Sequence, residues 1–500
     1  MKSTKIAFLI LLILFVPGMS SSIGYVSSTM NTTVFDSSQL GQYPDSVYIE
    51  DVPYVWQEVN GYCMSAALSM VIQSMGMDLD LHDLFVGMGT GFSALYMGVD
   101  ETRYFFPGVL IRQPVYLQFF ADLYGLELTT YANRSEPFGS FGASIYDMLG
   151  LQILDYANSS TQSPFDVIRE SISAGIPLAI AADLYYLPPL DYDIYRQYGA
   201  PLTPGGTAHA ITIVGYNDIT QEIYIQDPGV GLFEDDFGYP EDGRWNYTMQ
   251  YDAFETAWSS AGYLTFRVSS SSDPVDDFNT RLGRYICNRL RGDRTDYFEG
   301  VENYYFLSPG MTAFSGMALD LTVECISDYA RYFKEVDKPQ ALLNLGHISE
   351  MFMTIQYHGF RGALDSIPGI LSDVDLTEFV DAADDALSHF EVLTSNSSLA
   401  SGFGVISRNT LFFSTFEEIA YDFQTSGNLE ESIAHQQDQL DEIRDHLFAI
   451  AEAWEAAADV LEATLQLQSG DSVDGSLLIL FSGAGVIVLI VIILFLRRKK

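Results

Sequence analysis

The sequence predicts an α+β domain over residues 47–270, an all-α helical domain over 275–468 and one C-terminal transmembrane helix over 477–496. Three observations predict this. Between Val47 and Val268, helically spaced apolar residues alternate with short apolar or alternating runs that suit strands. Beyond Pro274 the strand signals fade and helical spacing continues to Gln468. Finally, the run Leu477–Leu496 is apolar and uncharged, with Arg497, Arg498, Lys499 and Lys500 behind it. A bilayer needs about 20 such residues and favours a basic cytoplasmic flank.

The elements follow in order. Lys2 and Lys5, the apolar run Ile6–Val16 and the small residues Ser20–Ser22 read as a signal peptide over 1–22, because the run is too short to span a bilayer. Residues 23–46, rich in Ser, Thr and Asn, read as a linker. Met64, Ala67, Leu68, Val71, Ile72 and Met75 mark an amphipathic helix over Cys63–Met75. A second helix is expected over Phe165–Ala174, ended by Gly175, then a buried strand over Ile176–Ala181. A Pro- and Tyr-rich loop, Tyr185–Pro204, follows, and its Tyr-rich part Tyr185–Tyr198 is a candidate rim of a cleft. His209–Tyr216 and Glu222–Gln226 read as strands joined at the turn Asn217-Asp218, and Gly262–Val268 as a last strand. Ser269–Ser272 and Pro274 mark the boundary. Within the helical domain, Ile433, Leu440, Ile443, Leu447, Ile450, Trp454, Ala458, Leu461 and Leu465 recur at steps of a bundle helix. Residues 469–476 read as a linker and 497–500 as a cytoplasmic tail.

The net charge of −42 excludes a polyanionic partner such as nucleic acid, and it suits a solvated acidic surface. The two terminal segments together predict a single-pass protein of the cell membrane, its N-terminal ectodomain outside. The sequons at Asn31, Asn133, Asn158, Asn246 and Asn396 agree with export. Of the three cysteines, Cys287 and Cys325 are candidates for one disulfide, with buried thiols as the alternative. Cys63 is then the remaining thiol.

Cys63 carries the chemistry. It opens an apolar helix, where the helix dipole favours a thiolate, and Gln57 stands six residues upstream. His209 starts a β-rich run in GGTAHAITIVGYND, and Asp227 follows the next strand in IYIQDPG. Thiol, imidazole and carboxylate form a nucleophile, a base that then serves as acid, and a group that fixes the imidazole tautomer. The Gln57 amide and the Cys63 backbone N–H are candidate oxyanion donors. The alternative is a structural cysteine, a core histidine and a turn-forming Asp-Pro-Gly. No cofactor and no metal are expected: Gly87, Gly89 and Gly91 lack the strand and spacing of a nucleotide loop, His82 with Asp78, Asp80 and Asp83 reads as a solvated acidic turn in preference to a metal site, and no ligand set joins His347 and His358. Trp258 reads as core.

These motifs resemble the papain-like cysteine peptidase clan, in which a glutamine precedes the catalytic cysteine by six residues. VPYVWQ…YCMSAALSMV and HAITIVGYN…IYIQDPG are similar to bacteriocin-processing (double-glycine leader) peptidases. GYCMSAAL and LFVGMGTGFSALYM are similar to the N-terminal domain of butirosin biosynthesis protein H. The resemblance covers roughly residues 50 to 268. It implies a papain-like fold with Cys63, His209 and Asp227 catalytic and Gln57 at the oxyanion. Tyr62 departs from the Asp or Glu that often precedes the cysteine in leader peptidases, so their substrate preference does not carry over. The expected function is a thiol hydrolase acting on peptides. Alternatives are an acyltransferase of the butirosin type, which takes an acyl substrate, a non-catalytic binding module, or a structural surface protein. Self-association through the helical region is a further expectation.

Overall fold

The computed structural model describes residues 43–59, 61–98, 115–133, 153–155, 163–193, 208–232, 238–270, 274–292, 306–332, 338–394 and 410–467. The first part contains β1 (Ser46–Tyr48), α1 (Cys63–Ser74), α2 (Leu81–Gly87), β2 (Leu95–Gly98), α3 (Val115–Tyr124), β3 (Leu126–Ala132) and β4 (Ile153–Asp155). It continues with α4 (Pro164–Ser173), β5 (Leu178–Asp183), β6 (Ala208–Asn217), β7 (Glu222–Gln226), β8 (Asn246–Gln250), α5 (Tyr251–Ser260) and β9 (Thr265–Ser270). The expected 23–46 linker therefore ends one residue early, because Ser46 already pairs with Asn217.

The strands form an 8-stranded sheet in the order β4-β3-β9-β5-β6-β7-β8, with β1 also paired to β6. β3 and β4 are parallel, and the other neighbours are antiparallel. β5 is buried along its whole length, and its two faces divide by alternation. Ala179 and Ala181 join the core beneath α1, whereas Leu178, Ile180 and Ala182 join a second core with Phe254 and Trp258 of α5. Small residues on the first face let α1 lie close to the sheet, where Thr212 donates to Ala67 O. A bulge between Ile213 and Gly215 interrupts the β6–β7 register.

The second part contains α6 (Phe278–Arg291), β10 (Phe306–Pro309), α7 (Met311–Asp320), α8 (Val323–Tyr332), α9 (Lys338–Ile370), α10 (Thr377–Leu393), α11 (Leu411–Ser426), α12 (Leu429–His435) and α13 (Gln437–Thr464). Leu440, Ile443, Leu447, Ile450, Trp454, Ala458 and Leu461 form the buried stripe of α13. The region is not purely α: β10 pairs antiparallel with β2 of the first part. One apolar core also runs unbroken from Val52 through α1 and α2 to Leu467. The two parts therefore share an interior.

Two expectations need correction. The expected Cys287–Cys325 disulfide is not formed. Cys287, on α6, donates instead to Ala458 O of α13, while Cys325 lies in the first turn of a different helix, α8. The membrane-spanning helix is the second. Among the described residues no helix is long and apolar enough to cross a membrane. The long helices α9 and α13 carry charge along their length, from Glu350, Arg361 and Asp365 to Asp441, Asp445, Glu452 and Asp459. The single-pass assignment at the cell membrane is therefore not supported by any described helix. Residues 477–496, like the signal-peptide segment, most of the linker and Asn31, Asn158 and Asn396, lie outside the described residues.

Candidate active site

Cys63 is the first residue of α1, after Tyr62. The approach to it is a strap, 52–57, tied to the loop after β7. Gln226 Nε2 donates to Val52 O (3.1 Å), the Gln57 N–H to Pro228 O (3.1 Å) and Trp56 Nε1 to Val230 O (3.0 Å). These bonds bring Gln57 and Asp227 together although their sequence positions are far apart. Between strap and helix the chain reverses through positive φ at Glu58 (59°) and Gly61 (95°). Glycine takes that conformation at no cost, whereas Glu58 is strained in it.

His209 and Asp227 meet because β6 and β7 are neighbours. His209 is the second residue of β6, opposite Ala182, and Asp227 directly follows β7. His209 Nε2 lies 2.7 Å from Asp227 Oδ1. The His209 side chain is also hydrogen bonded to the Cys63 thiol. With Nε2 committed to Asp227, Nδ1 is the ring nitrogen that remains for sulfur. The three residues singled out in the sequence thus form one chain of contacts.

Asp227 is fully buried, and donors saturate it. Oδ1 accepts from Tyr192 OH (2.8 Å) and the Gly229 N–H (2.9 Å) as well as His209, and Oδ2 accepts from Tyr247 OH (2.8 Å). Burial opposes the ionised carboxylate, yet His209 and these donors hold its pKa below the ordinary value. Burial likewise pulls His209 down, but Asp227 and then Cys63 outweigh it and push the imidazole up to about 10. Burial, then Asp227, keeps Tyr192 and Tyr247 protonated well above the usual range, so both remain donors.

Gln57 is buried beside this group. Its Nε2 donates to Val59 O (3.1 Å), which leaves one amide hydrogen, and its Oε1 has no hydrogen-bond partner among the described residues. Gly229 is required by space, since a Cβ there would lie 2.8 Å from His209 Cε1 and 2.8 Å from Tyr192 OH.

Residues 49–265 match the sequence profile of the Peptidase_C39 like family. Over this segment the chain is similar to the Peptidase_C39 like family, which is consistent with a domain of the papain-like cysteine peptidase clan. The Peptidase_C39-like segment runs from just after β1 to the first residue of β9, and it includes Gln57, Cys63, His209 and Asp227. A comparison with curated proteins returns no match.

The phenols of the Peptidase_C39-like domain were not legible in the sequence. Tyr192 falls in the loop that is a candidate rim of a cleft, but it is buried and bonded to Asp227. Only residues up to 193 of that loop are described. Tyr247 lies on β8, whose exposed–buried pattern carries no chemical cue. The three spaced glycines serve packing: Cβ atoms would strike Phe120 from Gly87, Tyr285 from Gly89, and Ala363 and Gly359 O from Gly91. His82 pairs with Glu58 (3.0 Å), and desolvation pulls the half-buried His358 down to about 4. The side chain of His347 lies outside the described residues. Among the described residues no group of three or more His, Cys, Asp or Glu side chains is arranged to hold a metal ion. Trp258 is core. Asn246 is exposed on β8, whereas the Asn133 N–H donates to Gly262 O.

Proposed function

We propose that the protein is a thiol hydrolase of the cysteine peptidase type, acting on peptide amides through Cys63. The supporting observation is His209 held between a saturated, buried Asp227 and the Cys63 thiol. In this reading His209 takes the thiol proton, and the sulfur attacks the scissile carbonyl carbon. The free N–H of Gln57 and the helix N-terminus at Cys63 stabilise the oxyanion. His209 returns the proton to the leaving amine as the C–N bond breaks, leaving a thioester on Cys63. Water, deprotonated by His209, attacks the thioester and releases the acid and the thiol. Asp227 keeps the imidazole oriented with Nδ1 toward sulfur.

The test is the rate of Cys63 alkylation against pH, read by mass spectrometry, together with turnover of a peptide-amide mixture. An activated Cys63 reacts readily at neutral pH, where a free thiol of pKa about 8.5 is mostly protonated. His209→Ala removes that advantage and lowers turnover by about a hundredfold to ten-thousandfold. Alkylation of the native protein that follows an ordinary free thiol, unaltered by His209→Ala, refutes the reading.

A further inference from the structure

The helical domain touches the nucleophile's helix at its first turn. Tyr62, immediately before Cys63, is buried and packs its ring on Phe85 of α2 (centroids 4.3 Å). Its hydroxyl donates to Ile355 O of α9 at 2.5 Å. The hydroxyl reaches a carbonyl inside a helix because α9 has a notch there: a Cβ on Gly359 would collide with Tyr62 OH. The same face of α9 makes two more contacts with the Cys63 neighbourhood. Gln356 Nε2 donates to Gly91 O (3.0 Å), and Gly362 lets α9 approach the ring of His82, which itself pairs with Glu58. Tyr62 on one side and Glu58 on the other bound the turn that connects Gln57 to Cys63. Both ends of that turn are therefore braced, directly or through His82, against a helix of the other part of the chain.

We infer that Tyr62 is a positioning residue, and that the Gly359 notch of α9 makes the helical domain a structural component of the catalytic centre. The inference rests on the thiol-hydrolase reading, since it states what holds the nucleophile in place. In that role the Tyr62 hydroxyl sets the height of the α1 N-terminus, and hence the distance between Cys63 sulfur and His209. It also explains a tyrosine at this position in chemical terms: only a side chain with a long ring and a terminal donor reaches Ile355 O.

Alkylation of Cys63 by iodoacetamide in the full-length chain, across pH and with Tm recorded alongside, tests this. Tyr62→Phe keeps the ring and removes one oxygen. It is expected to lower the neutral-pH rate about threefold and move the pH profile toward that of a free thiol. Gly359→Ala pushes on the hydroxyl and is expected to lower the rate about tenfold. The double variant, in which the oxygen that meets the new methyl is gone, is expected to return to the Tyr62→Phe value, a coupling that independent sites do not show. Variants that lower Tm but leave rate and pH profile at the wild-type values overturn the positioning role, as does a double variant whose effects simply multiply. If Gly359→Ala does not fold, Tyr62→Phe alone decides by the same criterion. A wild-type Cys63 that behaves as a free thiol overturns the thiol-hydrolase reading and this inference with it. An activated wild-type Cys63 that the variants leave unchanged overturns this inference alone.

Discussion

At the scale of single residues, the energetics centre on Asp227. A buried carboxylate is costly unless its oxygens are satisfied, and here two phenols, one backbone N–H and one imidazole do so. Tyr247→Phe is expected to cost about 1–3 kcal/mol of stability in urea denaturation, the usual result of orphaning a buried acceptor. It should also reduce turnover, because Asp227 then orients His209 less firmly. The His209–Asp227 pair has a further consequence in pH. His209 is pushed from about 6.5 up to about 10, so its stabilising contribution is complete below about pH 6.5 and is lost as pH rises toward 10. Asp227 is held low, so its share persists above its ordinary pKa and fades only in acid. The stability difference between wild type and His209→Ala should therefore shrink between about pH 6.5 and 10, and a flat difference contradicts the ion pair. Cys63, His209, Asp227 and Gln57 could be singled out as candidates in the sequence because residue type and chain order suggest their chemistry. Tyr192, Tyr247 and Gly229 were not, because nothing local distinguishes a tyrosine that meets a carboxylate across the fold from one in a core.

At the scale of elements, local signals were read well where capping and periodicity agree. α4 is an example: Ser163 and Asp166 form a reciprocal capping box and Pro164 occupies the first turn. The buried stripe of α13 follows its sequence period, although the continuous segment expected there breaks at Gln436 into α12 and α13. α2 was missed, since at seven residues it is too short to show a period. Its definition comes from the Asp80–Asp83 capping box, and Asp83 also accepts from Ser366 of α9. Asp80→Ala is expected to cost about 1 kcal/mol, measurable as a shift in the urea midpoint at unchanged slope. β2 and β10 were missed for a different reason. Each is four residues long and finds its partner only across the two halves of the chain. Such pairing leaves no pattern within either segment.

At the scale of the whole molecule, the chain turns from a sheet to mostly helices near residue 270, and the interior has no boundary there. The apolar core crosses this point, as do Tyr62–Ile355, Gln356–Gly91 and β2–β10. Heat denaturation is therefore expected to show one cooperative transition followed alike by both parts, and two separated transitions would contradict a shared core. With a net charge of −42, self-repulsion opposes compactness, so added salt should raise Tm at constant pH. Cys287 gives the chain a chronometer for its own opening. Its thiol lies between α6 and α13, and burial pushes it up to about 12, so a maleimide at neutral pH has no thiolate to capture there. Label appears on that sulfur only after α6 lifts away from α13, and its time course counts excursions of the intact protein, one molecule at a time, without any engineered probe.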